Sequence, residues 1–182
     1  MSRIQTPAVI SDAPIDAQLS LETVNNSLGS VPNIFRIIAN SPVTLDGFIG
    51  FSSALSKGAL PAATRERIAL AVAEVNSCHY CLAANSYLGK KNAKLTVTEM
   101  TRNRQGRSTD VKADVAVRFA KAIAENRGQV DNSIFNEVKS AGYDDAQIVE
   151  IIAHVALNTL TNYVNEVLET EIDFPKTNIL TA

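Results

Sequence analysis

The two cysteines of this sequence lie three residues apart in Cys78-His79-Tyr80-Cys81, and Glu66 stands twelve residues before the first of them. A pair at this spacing can cycle between dithiol and disulfide, because one thiolate attacks a peroxide or a disulfide and the other thiol resolves the product. Glu66 precedes Cys78 by just over three helical turns, so its helix can return beside the dithiol and exchange a proton. The pattern predicts redox chemistry.

The position of the pair at the start of a predicted helix makes this prediction more specific. Ser77 or Asn76 is expected to cap a helix that begins at the cysteines and ends at Gly89. The unpaired N–H groups and the dipole at a helix N-terminus stabilise a thiolate and lower its pKa. We therefore expect Cys78 or Cys81 to ionise near neutral pH.

Each of these residues also has a structural interpretation. Isolated cysteines are most often small buried hydrophobic residues. A structural zinc site usually needs four ligands, and only His79 and His154 accompany the pair, so no metal is predicted. Glu66 lies between Arg65 and Arg67 and can be a surface salt-bridge partner. His154, on an apolar helix, is by default a hydrogen-bonded core histidine, with a proton relay as the alternative.

Composition excludes several classes of function. The chain of 182 residues has 17 Lys and Arg against 19 Asp and Glu, a net charge of −2 and no basic run, which argues against binding to nucleic acid or anionic membranes. Neither a signal core nor an apolar stretch of about 20 residues is present, so a cytoplasmic location is expected. No phosphate loop, nucleotide fingerprint or haem motif is found, so no bound organic cofactor is predicted.

Apolar residues recur at helical spacing almost throughout, without alternation at period two, so the predicted fold class is all-α. We expect a single domain, 1–182, in which a loose segment 1–16 precedes a core around the cysteines at 42–90 and a second helical half at 110–175. Residues 103–108 should be polar connecting chain, and 96–99 resembles a capping box. The predicted helices are 17–28, one from about 33, 42 to a stop at 57–58, 61 to 76–77, 78–89, a short one after 96, 110–126, 131–140 and 146–168.

A weak internal sequence similarity links the two halves. Residues 68–73 align with 148–153, and Asn158 then falls where Cys78 stands. Two such helix pairs packed together would place His154 and Asn158 opposite the dithiol.

Residues 65–73, Arg-Glu-Arg-Ile-Ala-Leu-Ala-Val-Ala, followed by 76–84, Asn-Ser-Cys-His-Tyr-Cys-Leu-Ala-Ala, resemble the carboxymuconolactone decarboxylase superfamily on its alkylhydroperoxidase D (AhpD)-like branch. Residues 142–146, 158–162 and 171–175 are similar to longer, peroxidase-related members. The resemblance implies an all-helical fold assembled as trimers or hexamers. It also implies a thiol peroxidase for organic hydroperoxides, reduced by a lipoyl-type dithiol carrier or an equivalent donor. Decarboxylation is less expected, because the decarboxylases proper lack the cysteine pair.

The resemblance also implies roles for individual residues. Cys81 matches the family's peroxidatic cysteine, Cys78 its resolving partner, and Glu66 the acid that begins the proton relay. The family usually has histidine four residues after the second cysteine, where this chain has Asn85. A second family histidine directly precedes the second cysteine, where this chain has Tyr80.

These departures leave three hypotheses. Asn85 can orient a water molecule but cannot exchange protons near pH 7, so His79 or His154 would have to substitute in a peroxidase. Alternatively, the protein is a slow peroxidase whose task is thiol–disulfide exchange or redox sensing. The third hypothesis is a non-redox helical assembly or ligand-binding protein with inherited cysteines. Exposed apolar helix faces favour a homo-oligomer in each case.

Overall fold

The computed structural model describes residues 2–175 and is all-α over that range. A 3₁₀ turn at Ile10–Asp12 precedes the helices. The nine α-helices of the described chain are α1 Ile15–Leu28, α2 Asn33–Ile38, α3 Pro42–Ser56, α4 Ala62–Val75, α5 His79–Asn92, α6 Val97–Arg104, α7 Val111–Glu125, α8 Asn132–Ser140 and α9 Asp145–Leu168. Within this range, none of them combines the length and apolar character needed to cross a membrane.

Helix α4 is the centre of the fold and packs against α5, α6, α7 and α9. Its alanines Ala69, Ala71 and Ala73 are buried, and such small side chains let neighbouring helices approach closely. Leu70 and Ala73 join a cluster with both cysteines, whereas Ile68 and Val72 join a second cluster with residues of α7 and α9. The two cysteines therefore lie on one side of the central helix.

The N-terminal segment before α1 is irregular but is not loose as the sequence suggested. The Arg3 N–H donates to the Leu168 carbonyl at 2.8 Å, and the Arg36 guanidinium donates to the Ala8 carbonyl at 2.7 Å. The Asn40 amide donates to the Gln5 carbonyl at 2.9 Å. The end of α9, the α2 residue Arg36 and the turn after α2 thus bind the backbone of this segment, and composition does not predict these contacts.

Helix α5 does not end at Gly89, contrary to the prediction, and continues to Asn92. Gly89 is buried beneath the following chain, and a Cβ atom built there would lie 3.3 Å from Leu95 Cδ1. The carbonyl of Gly89 also accepts hydrogen bonds from the N–H groups of Ala93 and Leu95. Gly89 therefore allows the following chain to pack closely against α5, and it does not end the helix.

Residues 103–108 are not simply connecting chain, because α6 runs to Arg104 and both Asn103 and Arg104 are buried. Only one half of the capping box at 96–99 forms, since Thr96 Oγ1 accepts from the Glu99 N–H while the Glu99 side chain turns elsewhere. That carboxylate accepts a 2.7 Å bond from Arg67 Nε. It also accepts bonds from three side chains that follow it in the sequence, Asn103, Ser108 and Thr109.

Candidate active site

The two cysteines lie at the junction between α4 and α5. The Cys78 N–H donates to the Ala73 carbonyl at 2.9 Å, and Ser77 takes a positive φ of 54° to make the turn. Cys78 itself, rather than Ser77 or Asn76, is the N-cap of α5, since its sulfur accepts a bond from the Cys81 N–H at 3.3 Å. Both thiols are free and buried, so the sulfur takes the role that an oxygen plays in most helix caps.

The two thiols differ in acidity because one stabilises the other. The hydrogen bond from the Cys78 thiol is the largest influence that lowers the pKa of Cys81, and it outweighs the effect of burial. The same bond, followed by burial, raises the pKa of Cys78 well above its usual range. The arrangement therefore favours a thiolate on Cys81 beside a protonated Cys78.

Helix α9 supplies further donors to the Cys81 sulfur. The buried Asn165 amide donates to Cys81 Sγ at 3.2 Å. Asn162 and Thr161 also lower the pKa of Cys81. The Asn162 side chain is oriented by Asn76, whose amide donates to Asn162 Oδ1 at 2.9 Å. No atom of residues 2–175 accepts a hydrogen bond of ordinary geometry from Asn162 Nδ2. This amide group can therefore donate to a thiolate on Cys81.

A cavity of about 610 Å³ opens beside Cys81. Cys81 lines it, whereas the fully buried Cys78 does not. The polar lining next to Cys81 comes from Asn85 on α5 and from Asn158, Thr161 and Asn165 on α9. The apolar lining includes Ile34, Phe35, Phe48, Tyr80, Ala84, Tyr87, Leu88, Leu157 and Phe174. A small apolar molecule that enters this cavity therefore meets Cys81 first and reaches Cys78 only through it.

The chain after α9 closes one wall of this cavity. Tyr80 donates its hydroxyl to Asp173 Oδ1 at 2.8 Å, and Asp173 Oδ2 accepts the Asn33 N–H at the start of α2. Phe174 then packs edge-on against Tyr80, with ring centroids 5.7 Å apart, and against Tyr87 at 5.9 Å. Tyr80, which replaces a family histidine, is thus a positioning residue for the wall.

Glu66 lies on the face of α4 that includes Leu70 and Ala73, the two residues that pack in the cluster of the cysteines. Burial raises the pKa of Glu66 to about 7, although the positive charge of Arg65 opposes this shift. The surface salt bridge considered from the sequence does not form among the described residues. Arg65 donates to backbone carbonyls, and Arg67 pairs with Glu99. Glu66 does not line the cavity.

The two histidines lie away from the cavity lining. His79 is exposed in the first turn of α5. His154 is buried, its Nε2 has no partner within the described chain, and burial followed by the charge of Arg65 lowers its pKa to about 4. The internal similarity placed Asn158 and His154 opposite the dithiol; Asn158 lines the same cavity as Cys81, whereas His154 does not. Of the candidates for the relay, Asn85 alone lines the cavity beside Cys81 within residues 2–175.

Apart from Asn158, sequence reasoning did not identify the polar residues of α9 as part of the site. Asn158, Thr161, Asn162 and Asn165 recur at i, i+3, i+4 and i+7, which is one face of a helix. A polar stripe on the inward face of an otherwise apolar helix indicates a buried polar function.

Across residues 2–175, no group of three or more His, Cys, Asp or Glu side chains comes together where a metal ion could be held.

Comparisons with known proteins agree with this architecture. Residues 42–125 match the Carboxymuconolactone decarboxylase family. The chain has no match among curated proteins. An AhpD-core, peroxidase-related protein from Ralstonia eutropha JMP134 is 23% identical with a TM-score of 0.83, covering 94% of this chain and 92% of that one. A peroxidase-related protein from Silicibacter sp. TM1040 is 22% identical with a TM-score of 0.79, covering 93% and 91%. The debrominase Bmp8 in complex with 2,3,4-tribromopyrrole is 20% identical with a TM-score of 0.79, covering 95% and 94%.

Proposed function

Because this chain belongs to the carboxymuconolactone decarboxylase superfamily and has the AhpD-like fold, we propose that it is a thiol-dependent peroxidase that reduces organic hydroperoxides. The observation that carries the proposal is the asymmetry of the cysteine pair. Cys81 has a lowered pKa and lines the cavity, whereas Cys78 is protonated and lies behind it. This is the arrangement that a peroxidatic and a resolving cysteine require.

In the first step, the Cys81 thiolate attacks the terminal oxygen of the hydroperoxide. The O–O bond breaks, the sulfur gains the hydroxyl as a sulfenic acid, and the alkoxide leaves and takes up a proton to become the alcohol. Asn165 holds the sulfur by its 3.2 Å hydrogen bond. The bond from Cys78 keeps the sulfur ionised before the attack.

In the second step, Cys78 loses its proton and attacks the sulfenic sulfur of Cys81. An S–S bond forms, and the hydroxyl of the sulfenic acid leaves with a proton as water. The Cys78 sulfur needs little displacement for this attack, because it already lies against the Cys81 N–H. An external dithiol, a lipoyl-type carrier or an equivalent donor, then reduces the disulfide by exchange.

Glu66 and Asn85 support the proton transfers in this proposal. A carboxyl with a pKa of about 7 exchanges protons readily at neutral pH. Asn85 lies one turn after Cys81 on α5, about 6 Å further along the helix axis, and α5 packs along α4. Because an amide cannot carry the proton, Asn85 would orient a water molecule that does. No relay role is proposed for His79 or His154.

The test is to measure free thiols before and after an equimolar amount of cumene hydroperoxide, in the wild type, Cys81→Ser and Cys78→Ser. The wild type should lose both thiols rapidly, and Cys81→Ser should stay reduced. Cys78→Ser should stop at a sulfenic acid on Cys81 that dimedone traps. The alcohol formed should equal the disulfide formed.

Persistence of both wild-type thiols in peroxide would contradict the peroxidase proposal. The same sample then receives oxidised lipoamide. Loss of thiols at that stage would identify a disulfide oxidoreductase or redox sensor, and continued persistence would favour the non-redox hypothesis.

A second candidate function is reductive dehalogenation by the same pair. The cavity beside Cys81 is lined by aromatic rings, and the fold neighbour Bmp8 is a debrominase seen with a bromopyrrole. The Cys81 thiolate would take the halogen from the ring carbon as a sulfenyl halide, and a proton would replace the halogen on that carbon. Attack of Cys78 on the Cys81 sulfur would then form the disulfide and release halide and the Cys78 proton. Bromide release from 2,3,4-tribromopyrrole, measured beside alcohol formation from cumene hydroperoxide, separates the two activities.

We also propose that the protein self-associates through α9, with a second copy as the occupant of its outer face. The resemblance to an oligomeric family supports this, and so does an unbroken apolar row about 27 Å long on that face. The row consists of the exposed residues Val149, Ile152, Ala156, Leu160, Tyr163 and Val167. Tyr163→Glu should lower the molar mass measured by light scattering, and an unchanged mass would contradict the proposal.

A further inference from the structure

The cavity beside Cys81 is elongated along one face of α5. Its lining residues on that helix include Cys81, Asn85, Leu88 and Lys91, which recur at helical spacing. Ten residues of helix separate Cys81 from Lys91, a rise of about 15 Å. Cys81 is buried and Lys91 is exposed, so the reactive sulfur lies at the inner end and the lysine at the mouth.

Among the described residues that line the cavity, Lys91 is the single charged side chain. Its ammonium lies 5.6 Å from the centroid of the Tyr87 ring, which also lines the cavity. Both Lys90 and Lys91 complement the dipole of the α5 C-terminus, but Lys90 does not line the cavity. The dipole therefore accounts for a lysine in this turn, and not for its position at the mouth.

Between these two ends the walls are largely apolar. Phe35 and Phe48 contact each other with centroids 5.3 Å apart, and Tyr80, Tyr87 and Phe174 form a second aromatic group. Such a surface binds a hydrocarbon chain by the hydrophobic effect, without specific hydrogen bonds. The cavity thus offers a cation at its mouth, an apolar middle and a thiol at its inner end.

We infer that the cavity takes an amphipathic anion of the fatty-acid type, with its carboxylate at Lys91, its chain against the aromatic walls and its reactive group at Cys81. This inference rests on the proposed peroxidase function for the identity of that group, a hydroperoxide. Cys81 then takes the terminal oxygen of the hydroperoxide, and the fatty acid leaves as the hydroxy acid. The two electrons come from the cysteine pair, which the external dithiol restores.

The experiment compares linoleic acid hydroperoxide with its methyl ester, which has the same chain and reactive group but no charge. The ratio of kcat/KM for the acid to kcat/KM for the ester is measured in the wild type, Lys91→Met, Lys91→Arg and the matched control Lys90→Met. An exposed charge pair should make this ratio about three- to fivefold higher in the wild type than in Lys91→Met. Lys91→Arg and Lys90→Met should keep the wild-type ratio. Added salt should lower the wild-type ratio.

A second arm keeps the inference separate from the peroxidase proposal. Binding of the unreactive ligand linoleic acid is measured by calorimetry in the same variants, and Lys91→Met should bind it about three- to fivefold more weakly. Preferential binding without turnover of any hydroperoxide would overturn the peroxidase function and support the anion site. Turnover with equal acid-to-ester ratios in the wild type and Lys91→Met, or equal loss in Lys90→Met, would overturn the anion site alone.

Discussion

Glu66 on α4 is half-buried and Glu99 on α6 is buried, and the two carboxylates differ in their hydrogen-bond partners. Glu99 accepts hydrogen bonds from Arg67 at 2.7 Å, from Ser108 Oγ at 2.5 Å and from the Thr109 N–H at 2.8 Å. No hydrogen bond or ion pair reaches Glu66 from the other residues of 2–175. Although burial opposes it, the hydrogen bonds from Ser108, Thr109 and Asn103 lower the pKa of Glu99 to about 2, while burial raises that of Glu66 to about 7.

This difference separates a structural carboxylate from one that can take part in chemistry. Burial disfavours the charged form of both groups, and hydrogen-bond donors reverse that effect at Glu99. Glu99 is therefore an anion at neutral pH. Glu66 changes protonation near neutral pH and lies on the face of α4 that includes Leu70 and Ala73, which pack in the cluster of the cysteines. The following predictions test this assignment.

The largest expected effect is the loss of stability in Glu99→Gln. The change leaves the partly buried Arg67 guanidinium without its buried counter-charge and weakens the acceptor for Ser108 and Thr109, at a cost of about 3 to 5 kcal/mol. Urea unfolding measures this difference. Glu125→Gln, which removes the partly exposed pair with Lys121, is the matched control and should cost less than about 1 kcal/mol. Equal losses in the two variants would contradict a structural role for Glu99.

The next effect concerns catalysis. Glu66→Gln should slow the oxidation of Cys81 by cumene hydroperoxide about 10²-fold, because an amide cannot exchange the proton that the reaction needs. The pH–rate profile distinguishes this role from a merely structural one. The wild-type profile should inflect near pH 7, and this inflection should vanish in Glu66→Gln. A variant that keeps both the rate and the inflection would exclude Glu66 from the relay.

A smaller gain is expected when the family histidine is restored. Asn85→His places a group that exchanges protons near neutral pH one turn after Cys81, and it should raise the rate of peroxide reduction about tenfold. In the background of Glu66→Gln, the same change should give less than this gain, since the two groups act in one relay. Additive effects of the two substitutions would show that Glu66 and residue 85 act independently.

The smallest expected effect is on how the free energy of unfolding depends on pH. A carboxyl whose folded pKa of about 7 exceeds its unfolded value of 4.5 binds more protons in the folded state between these limits. The wild type should therefore lose stability as pH rises from about 4.5 to beyond 7. Glu66→Gln removes this loss, and at pH 8 it should be more stable than the wild type by about 1 kcal/mol, after allowance for the half-buried position of Glu66. Urea unfolding at several pH values tests the sign, and a less stable variant at pH 8 would contradict it.

Sequence reasoning succeeded where a local signal determines structure. Helical periodicity and Pro42 predicted α3, and the cap expected at Ser77 or Asn76 predicted that a helix begins at the cysteines, although Cys78 itself is the cap. It failed where contacts between residues far apart in the sequence determine the structure. Asn165 donates to Cys81 from 84 residues away, and Phe174 reaches the cavity because Asp173 binds Tyr80 and the start of α2. Such contacts depend on how α9 packs against α5, which no short pattern specifies.

The most direct measurement for the central claim is the rate of alkylation of each cysteine by iodoacetamide as a function of pH, with the modified residue located by mass spectrometry. The account predicts that Cys81 reacts first, with a pKa below the usual value for a cysteine. Cys78→Ala and Asn165→Leu should each raise that pKa, because each removes a hydrogen bond to the Cys81 sulfur. Prior alkylation of Cys78, or a pKa of Cys81 at or above the usual value, would contradict the assignment of Cys81 as the nucleophile.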